Sequence, residues 1–157
     1  MKITLLVIGK TDDKNLAQLI ELYKNRLKHY IKFDLEIIPD LKNSKNLSHE
    51  QQKEKEGALI LSKIQNTDHL ILLDDKGKDY TSLEFSRYLQ KKMSSGSKRL
   101  VFVVGGPYGF SDAIYKKAMG KVSFSKMTFS HQMIRLFVVE QIYRGFTILK
   151  NEPYHHE

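Results

Sequence analysis

The sequence predicts an α/β fold in which a mostly parallel sheet carries helices on both faces. Leu100-Val101-Phe102-Val103-Val104 is a run of five apolar residues with no polar alternation, the pattern of a strand buried on both sides. Short β-rich segments alternate with longer segments of helical period, which is the order of βαβ units and hence of parallel strands. Ser48-x-x-Gln51 and Thr81-x-x-Glu84 mark two helix starts between those strands, because each pairs a capping hydroxyl with a side chain that can reach back to the cap.

Ile3–Ile8 reads as the first strand. Past Thr11-Asp12-Asp13, a helical period places Leu16, Leu19, Ile20, Tyr23 and Leu27 on one face and Lys14, Lys24, Arg26 and Lys28 on the other. Phe33–Ile37 alternates with period two, as a half-exposed strand near a sheet edge does. A Lys- and Asn-rich loop spans 39–46, and a second helix follows Ser48 with Ala58, Leu61 and Ile64 facing inward. His69–Leu73 is the third strand and runs into a charged loop, Asp74–Asp79. A third helix extends from Thr81 to about Met93, and Ser94-Ser95-Gly96-Ser97 turns into the strand at 100–104. Ser111-Asp112 starts a short helix near 112–119, and a strand near 121–125 follows. The last helix, about 132–149, aligns Ile134, Val138, Ile142 and Leu149. It cannot continue through Glu152, because Pro153 disfavours helical backbone there.

The chain has 157 residues, 41% hydrophobic and 28% charged, the size and balance of one globular domain spanning 1–157. No apolar run approaches the roughly 20 residues of a membrane span, and the first residues lack the flanks of a signal peptide. Zero Cys removes disulfides, thiolate metal sites and Cys nucleophiles; together these features point to the cytoplasm. A net charge of +8 favours a polyanionic partner, since neutralising phosphates drives non-specific nucleic-acid affinity.

Gly9-Lys10-Thr11 ends like a phosphate-binding loop, but that motif needs a Gly five residues before Gly9, and Thr4 stands there. Gly9 therefore reads as a strand terminator. Gly105-Gly106-Pro107-Tyr108-Gly109 is not a dinucleotide fingerprint either. A Gly-rich turn at the carboxyl end of a buried strand is nonetheless where open α/β sheets hold ligands. Asp74, Asp75 and Asp79 read as a solvated loop, no Cys/His or Ca²⁺-loop spacing is present, and no metal is expected. His131/Arg135 and Glu140/Arg144 are each one helical turn apart, and taken alone they read as surface pairs.

In order, Leu72-Leu73-Asp74…Gly77-Lys78, Gly105-Gly106-Pro107-x-Gly109, Ser123-Phe124-Ser125-Lys126-Met127-Thr128, His131, Glu140-x-x-Tyr143-Arg144 and the tail Asn151-x-Pro153-Tyr154-His155-x-Glu157 resemble the ribosomal RNA large subunit methyltransferase H family of small SPOUT-type enzymes. The resemblance covers essentially the whole chain. It implies a C-terminal trefoil knot, a homodimer, and S-adenosylmethionine as methyl donor to N3 of a pseudouridine in 23S ribosomal RNA on the ribosome. By motif, the cofactor would meet Leu73, Gly105, Gly106, Phe124, Ser125, Lys126, Met127, Thr128 and Phe129. The catalytic set would be Tyr154, His155, His131 and Arg144. The family carries a basic residue, usually Arg, where this chain has His156. The basic face of the first helix, with Lys42 and Lys45, is the expected ribosome contact. A SPOUT-type transfer RNA methyltransferase and a non-catalytic basic RNA-binding protein are the alternatives; cofactor binding separates the second from the first.

Overall fold

The computed structural model describes residues 1–157. Its elements are β1 (Lys2–Ile8), α1 (Lys14–Leu27), β2 (Lys32–Ile38), a 3-10 turn (Ser44–Asn46), α2 (His49–Ser62), β3 (Asp68–Asp79), α3 (Ser82–Ser94), β4 (Arg99–Val104), α4 (Asp112–Lys117), β5 (Gly120–Ser123) and α5 (Met133–Leu149). All strand pairs are parallel, in the order β2-β1-β4-β3-β5. The half-exposed strand expected near an edge, β2, is an edge strand.

Apolar side chains leave both faces of the central strands, which is why the sequence shows runs instead of alternation. Leu5, Val7, Leu100, Phe102 and Val104 pack under α1, α3 and α5. Leu6, Val101, Val103, Leu70 and Leu72 pack on the other face against Ile60 of α2 and Ile114 of α4. Both capping boxes form: Gln51 N donates to Ser48 Oγ at 3.1 Å and Ser48 N to Gln51 Oε1 at 2.9 Å. Thr81 and Glu84 do the same at 3.2 and 2.8 Å.

Four local expectations are corrected. Leu19 is exposed, because the stripe that α1 turns to the sheet runs through Leu16, Ile20 and Leu27 and leaves Leu19 at its margin. Ala58 is exposed as well: α2 buries Glu56, Gly57 and Ile60 instead. Residues 74–79 are not a loop. The chain stays extended, and after a register shift Lys78 and Asp79 pair again with Val122 and Ser123. Gly77 makes this possible, since a Cβ there would lie 2.7 Å from the Val122 backbone. Finally, α4 ends at Lys117 and β5 at Ser123. Met119 N is drawn to Leu70 O at 2.8 Å, and the Ser123 hydroxyl donates to Ser125 O at 2.9 Å, turning the chain away.

Candidate functional site

The carboxyl ends of β4 and β5, with the irregular middle of β3 at residues 73–76, open into a cleft of about 650 Å³, within the usual range for small-molecule sites. Leu73, Gly105, Gly106, Phe124, Ser125, Met127, Thr128, Phe129 and His131 line it. Lys126, expected with them, does not line it, because the turn at 125–127, closed by Met127 N on Ser125 Oγ at 2.9 Å, directs the intervening residue elsewhere.

Two of the glycines are dictated by their neighbours. A Cβ on Gly105 would come within 3.0 Å of the Phe110 ring, and one on Gly106 within 2.8 Å of Glu56 Oε1. The turn therefore presents bare main chain to the cleft, suited to a ligand read through backbone groups. At the cleft wall the Tyr115 hydroxyl donates to Asp74 Oδ2 at 2.5 Å and Lys76 N to Oδ1 at 2.8 Å. Burial pushes the Asp74 carboxyl up, but these bonds and the charge of Lys121 outweigh it and hold Asp74 below its usual range. An ionised carboxylate thus lines a site fit for a cationic ligand. No group of three or more His, Asp or Glu is arranged to hold a metal ion.

Beneath the cleft lies a side chain whose role the sequence did not disclose. Arg135 is 1% exposed. Its Nη1 donates to Gly9 O at 2.8 Å and to Thr11 Oγ1 at 3.2 Å, Nη2 to Ile8 O at 2.8 Å, and Nε to His131 O at 3.1 Å. The expected surface pair with His131 is instead a buried clamp joining the end of β1 to the start of α5. Gln132 reinforces it, accepting from Asp12 N at 3.0 Å and donating to Lys10 O at 3.1 Å.

Glu56 is 4% exposed, tucked under the Gly106 turn. Burial raises its carboxyl above the usual range; Gln52 and His131 oppose this and Asp40 adds to it. A carboxyl whose folded pKa is raised contributes stability that is present below its unfolded pKa and lost as pH rises through the folded one. Glu56→Gln is therefore expected to raise Tm at neutral pH and to leave it nearly unchanged at acid pH. Melts at the two pH values check this, and a lower neutral-pH Tm would contradict it.

Three of the four expected catalytic residues lie elsewhere. The chain leaves α5 through Asn151 in left-handed conformation (φ +55°), with Glu152 N on Thr147 O at 2.9 Å, a helix stop that Asn tolerates. Tyr30 of the α1–β2 link donates to Glu152 and pins the tail, and that bond helps push the Tyr30 hydroxyl up to about 12. Tyr154 then folds back on α5. Its ring packs edge-on against Tyr143 at 4.8 Å and lies under the Arg144 guanidinium at 4.7 Å.

Glu140 is the hub of this cluster. One oxygen, Oε1, accepts from Arg144 Nη2 at 2.7 Å, Arg144 Nε at 3.1 Å and the Tyr154 hydroxyl at 2.9 Å. Burial, with hydrogen bonds to Tyr23 and Glu140, pushes the Tyr154 hydroxyl up, so it remains a donor. Arg144 Nη1 lies 3.3 Å from His155 Nδ1. Arginine only donates, so Nδ1 accepts and the neutral ring carries its proton on Nε2. That Nε2 is buried without a hydrogen-bond partner.

The structure thus brings the residues expected to meet the cofactor, Lys126 excepted, together with His131, and separately Arg144, Tyr154 and His155. His131 lies in the turn just ahead of α5, and helical rise of 1.5 Å per residue puts it roughly 20 Å from Arg144. In the sequence Glu140 stands as the i,i+4 partner of Arg144 and within the motif Glu140-x-x-Tyr143-Arg144, without a role of its own. Of the basic face of α1, Lys24 pairs with Glu21 at 3.0 Å and Arg26 stacks over Tyr23 at 5.1 Å and Tyr143 at 5.6 Å, so Arg26 is committed to the tail cluster.

A family model described as "predicted SPOUT methyltransferase" matches residues 1–155. A protein of Flavobacterium johnsoniae named ribosomal RNA large subunit methyltransferase H is 70% identical over 157 residues, covering 100% of both chains. Proteins of the same name from Parabacteroides distasonis and Christiangramia forsetii are 67% identical over 157 residues (100% of both chains) and 64% identical over 156 residues (99% of both).

Proposed function

Since the chain belongs to the SPOUT methyltransferase family, we propose that it uses S-adenosylmethionine to methylate N3 of a pseudouridine in the large-subunit ribosomal RNA, acting as a homodimer on the ribosome. The cleft fits such a cofactor: the glycine turn leaves main chain bare where a Cβ would collide, and Asp74 sets a negative charge at its wall. The bound cofactor supplies a methyl group on a cationic sulfur leaving group, so no metal has to activate it. The site's task is to align N3 with that methyl group and to take up the charge and proton that N3 sheds.

Two half-sites on one helix face carry this reading. Met133, Phe137, Glu140 and Arg144 fall on a single stripe of α5 by helical spacing. The cleft-end pair is apolar and open, Met133 at 41% and Phe137 at 36% exposure, while the far end bears the Arg144 cluster. A second copy packed antiparallel along this stripe covers the apolar residues and brings its Arg144, Tyr154 and His155 over the first copy's cleft. The symmetry of a two-fold dimer then builds two composite sites. In each, Arg144 faces the carbonyl oxygens on which negative charge develops, and His155, its Nε2 buried, holds the guanidinium through Nδ1. His131, the one imidazole lining the cleft, would take up the proton that N3 sheds. Tyr154 packs the extruded base. The return of α5 to pack on α1 and α3, with Gln132 lashed to the loop after β1, is consistent with a knotted C-terminal half.

Tritium transfer from labelled S-adenosylmethionine is expected into ribosomes lacking the modification, at N3 of one pseudouridine, and not into transfer RNA. Label in transfer RNA would move the enzyme to a different substrate. No transfer and no cofactor binding would leave a basic RNA-binding protein.

A further inference from the structure

We propose that His49 and Tyr108 form a stacking platform for a nucleobase of the RNA strand that flanks the methylated nucleotide, an inference that rests on the RNA substrate proposed above. Their rings are stacked with centroids 3.7 Å apart and planes within 15°. Neither ring belongs to the hydrophobic core: Tyr108 is 42% exposed and lines the cleft, and His49 is exposed. The pair stands at the cleft's rim.

Both rings are held by rigid backbone. Tyr108 sits in a turn closed by Gly109 N on Gly106 O at 3.2 Å, between Pro107 and a Gly109 at φ +84°. His49 opens α2 directly after the Ser48 capping box. One helical turn on, Lys53 lines the same cleft, and the loop before α2 exposes Lys42 and Lys45. Aromatic faces flanked by lysines are the chemistry by which proteins bind unpaired RNA, because every base offers a π-face and every nucleotide a phosphate. The location adds a reason. A base drawn out of its strand for chemistry leaves its neighbours unstacked, and an aromatic surface at the mouth of the site replaces the lost partner.

The competing account is that His49 only braces the glycine turn against α2, in which case its loss would loosen the cofactor site. Tyr108→Ala and His49→Ala separate the two. The platform predicts a KM for unmodified ribosomes raised about 5- to 30-fold in both, and for His49→Ala, whose ring lies outside the cleft lining, an S-adenosylmethionine Kd by calorimetry that is unchanged. It also predicts that Tyr108→Phe, which keeps the ring, regains the wild-type KM. A second readout does not depend on catalysis: fluorescence of a single-stranded oligonucleotide carrying 2-aminopurine is quenched by the wild-type protein and not by Tyr108→Ala. An unchanged KM together with equal quenching overturns the platform, as does a weakened cofactor Kd that accounts for the whole loss. If the wild-type protein transfers no methyl to ribosomes yet quenches the oligonucleotide through Tyr108, the substrate assignment fails and the platform stands.

Discussion

Arg135→Met is expected to lower Tm by roughly 6–12 °C, the shift that about 3 kcal/mol produces in a domain of this size. The methionine fills much of the space but donates nothing. Ile8 O, Gly9 O and His131 O then lose their guanidinium donor, along with the Thr11 hydroxyl. Each buried acceptor left unpaired costs about 1–3 kcal/mol. Part of that cost is recovered, because the variant no longer buries a charge. Burial already depresses the Arg135 pKa, and no carboxylate lies within ion-pair distance; Asp12 and Asp40 act only through their fields. Arg135→Lys should rescue little, since a single ammonium cannot span carbonyls on two segments as a planar fork does. A melt of Arg135→Met within about 2 °C of wild type would show that β1 and α5 are held by packing alone.

That clamp also marks where sequence reading reaches its limit. The fold was legible because its signals are local. Capping boxes, apolar runs and the helix stop ahead of Pro153 each act within a few residues, and all stand where the pattern put them. The errors came where a distant partner overrides the local pattern. Residues 74–79 look like solvated loop until Val122 and Ser123 arrive to pair with Lys78 and Asp79. Ala58 looks like an inward residue of α2, and the close approach of the Gly106 turn and of Ser111 buries Glu56 and Gly57 instead. Arg135 is spaced from His131 like a surface pair, and only the carbonyl end of β1, more than a hundred residues away, gives its guanidinium a purpose.

The candidate site was readable for a different reason. Its residue types and order resemble a known family, and the structure gathers most of the cofactor set around one cleft. What motif order does not encode is distance. It offered His131, Arg144, Tyr154 and His155 as one set, and helical rise separates the first from the rest.

That separation yields the largest expected effect on activity. Gly106→Val disables the cleft, since the added side chain meets the Glu56 carboxylate. Arg144→Ala disables the tail cluster, removing the group that Glu140 holds and that faces His155 Nδ1. Loss of a preorganised charge of this kind costs about 10²–10³ in rate, so each variant alone should be close to inactive on ribosomes. Mixed after dissociation and reassociation, the two should regain about one quarter of wild-type activity per protomer, because half the dimers are mixed and each has one intact site from the opposite halves. The intact cleft belongs to the Arg144→Ala protomer and the intact tail to its Gly106→Val partner. A site built within one chain allows no such recovery: every protomer in the mixture would still lack one half. Single-turnover methyl transfer on the mixture, beside each variant and with dimer formation checked by sedimentation, therefore decides between a site made by one chain and a site made by two. Sustained inactivity in well-folded mixed dimers would return the tail cluster to a structural role, holding Tyr23, Tyr143 and Tyr154 against α5.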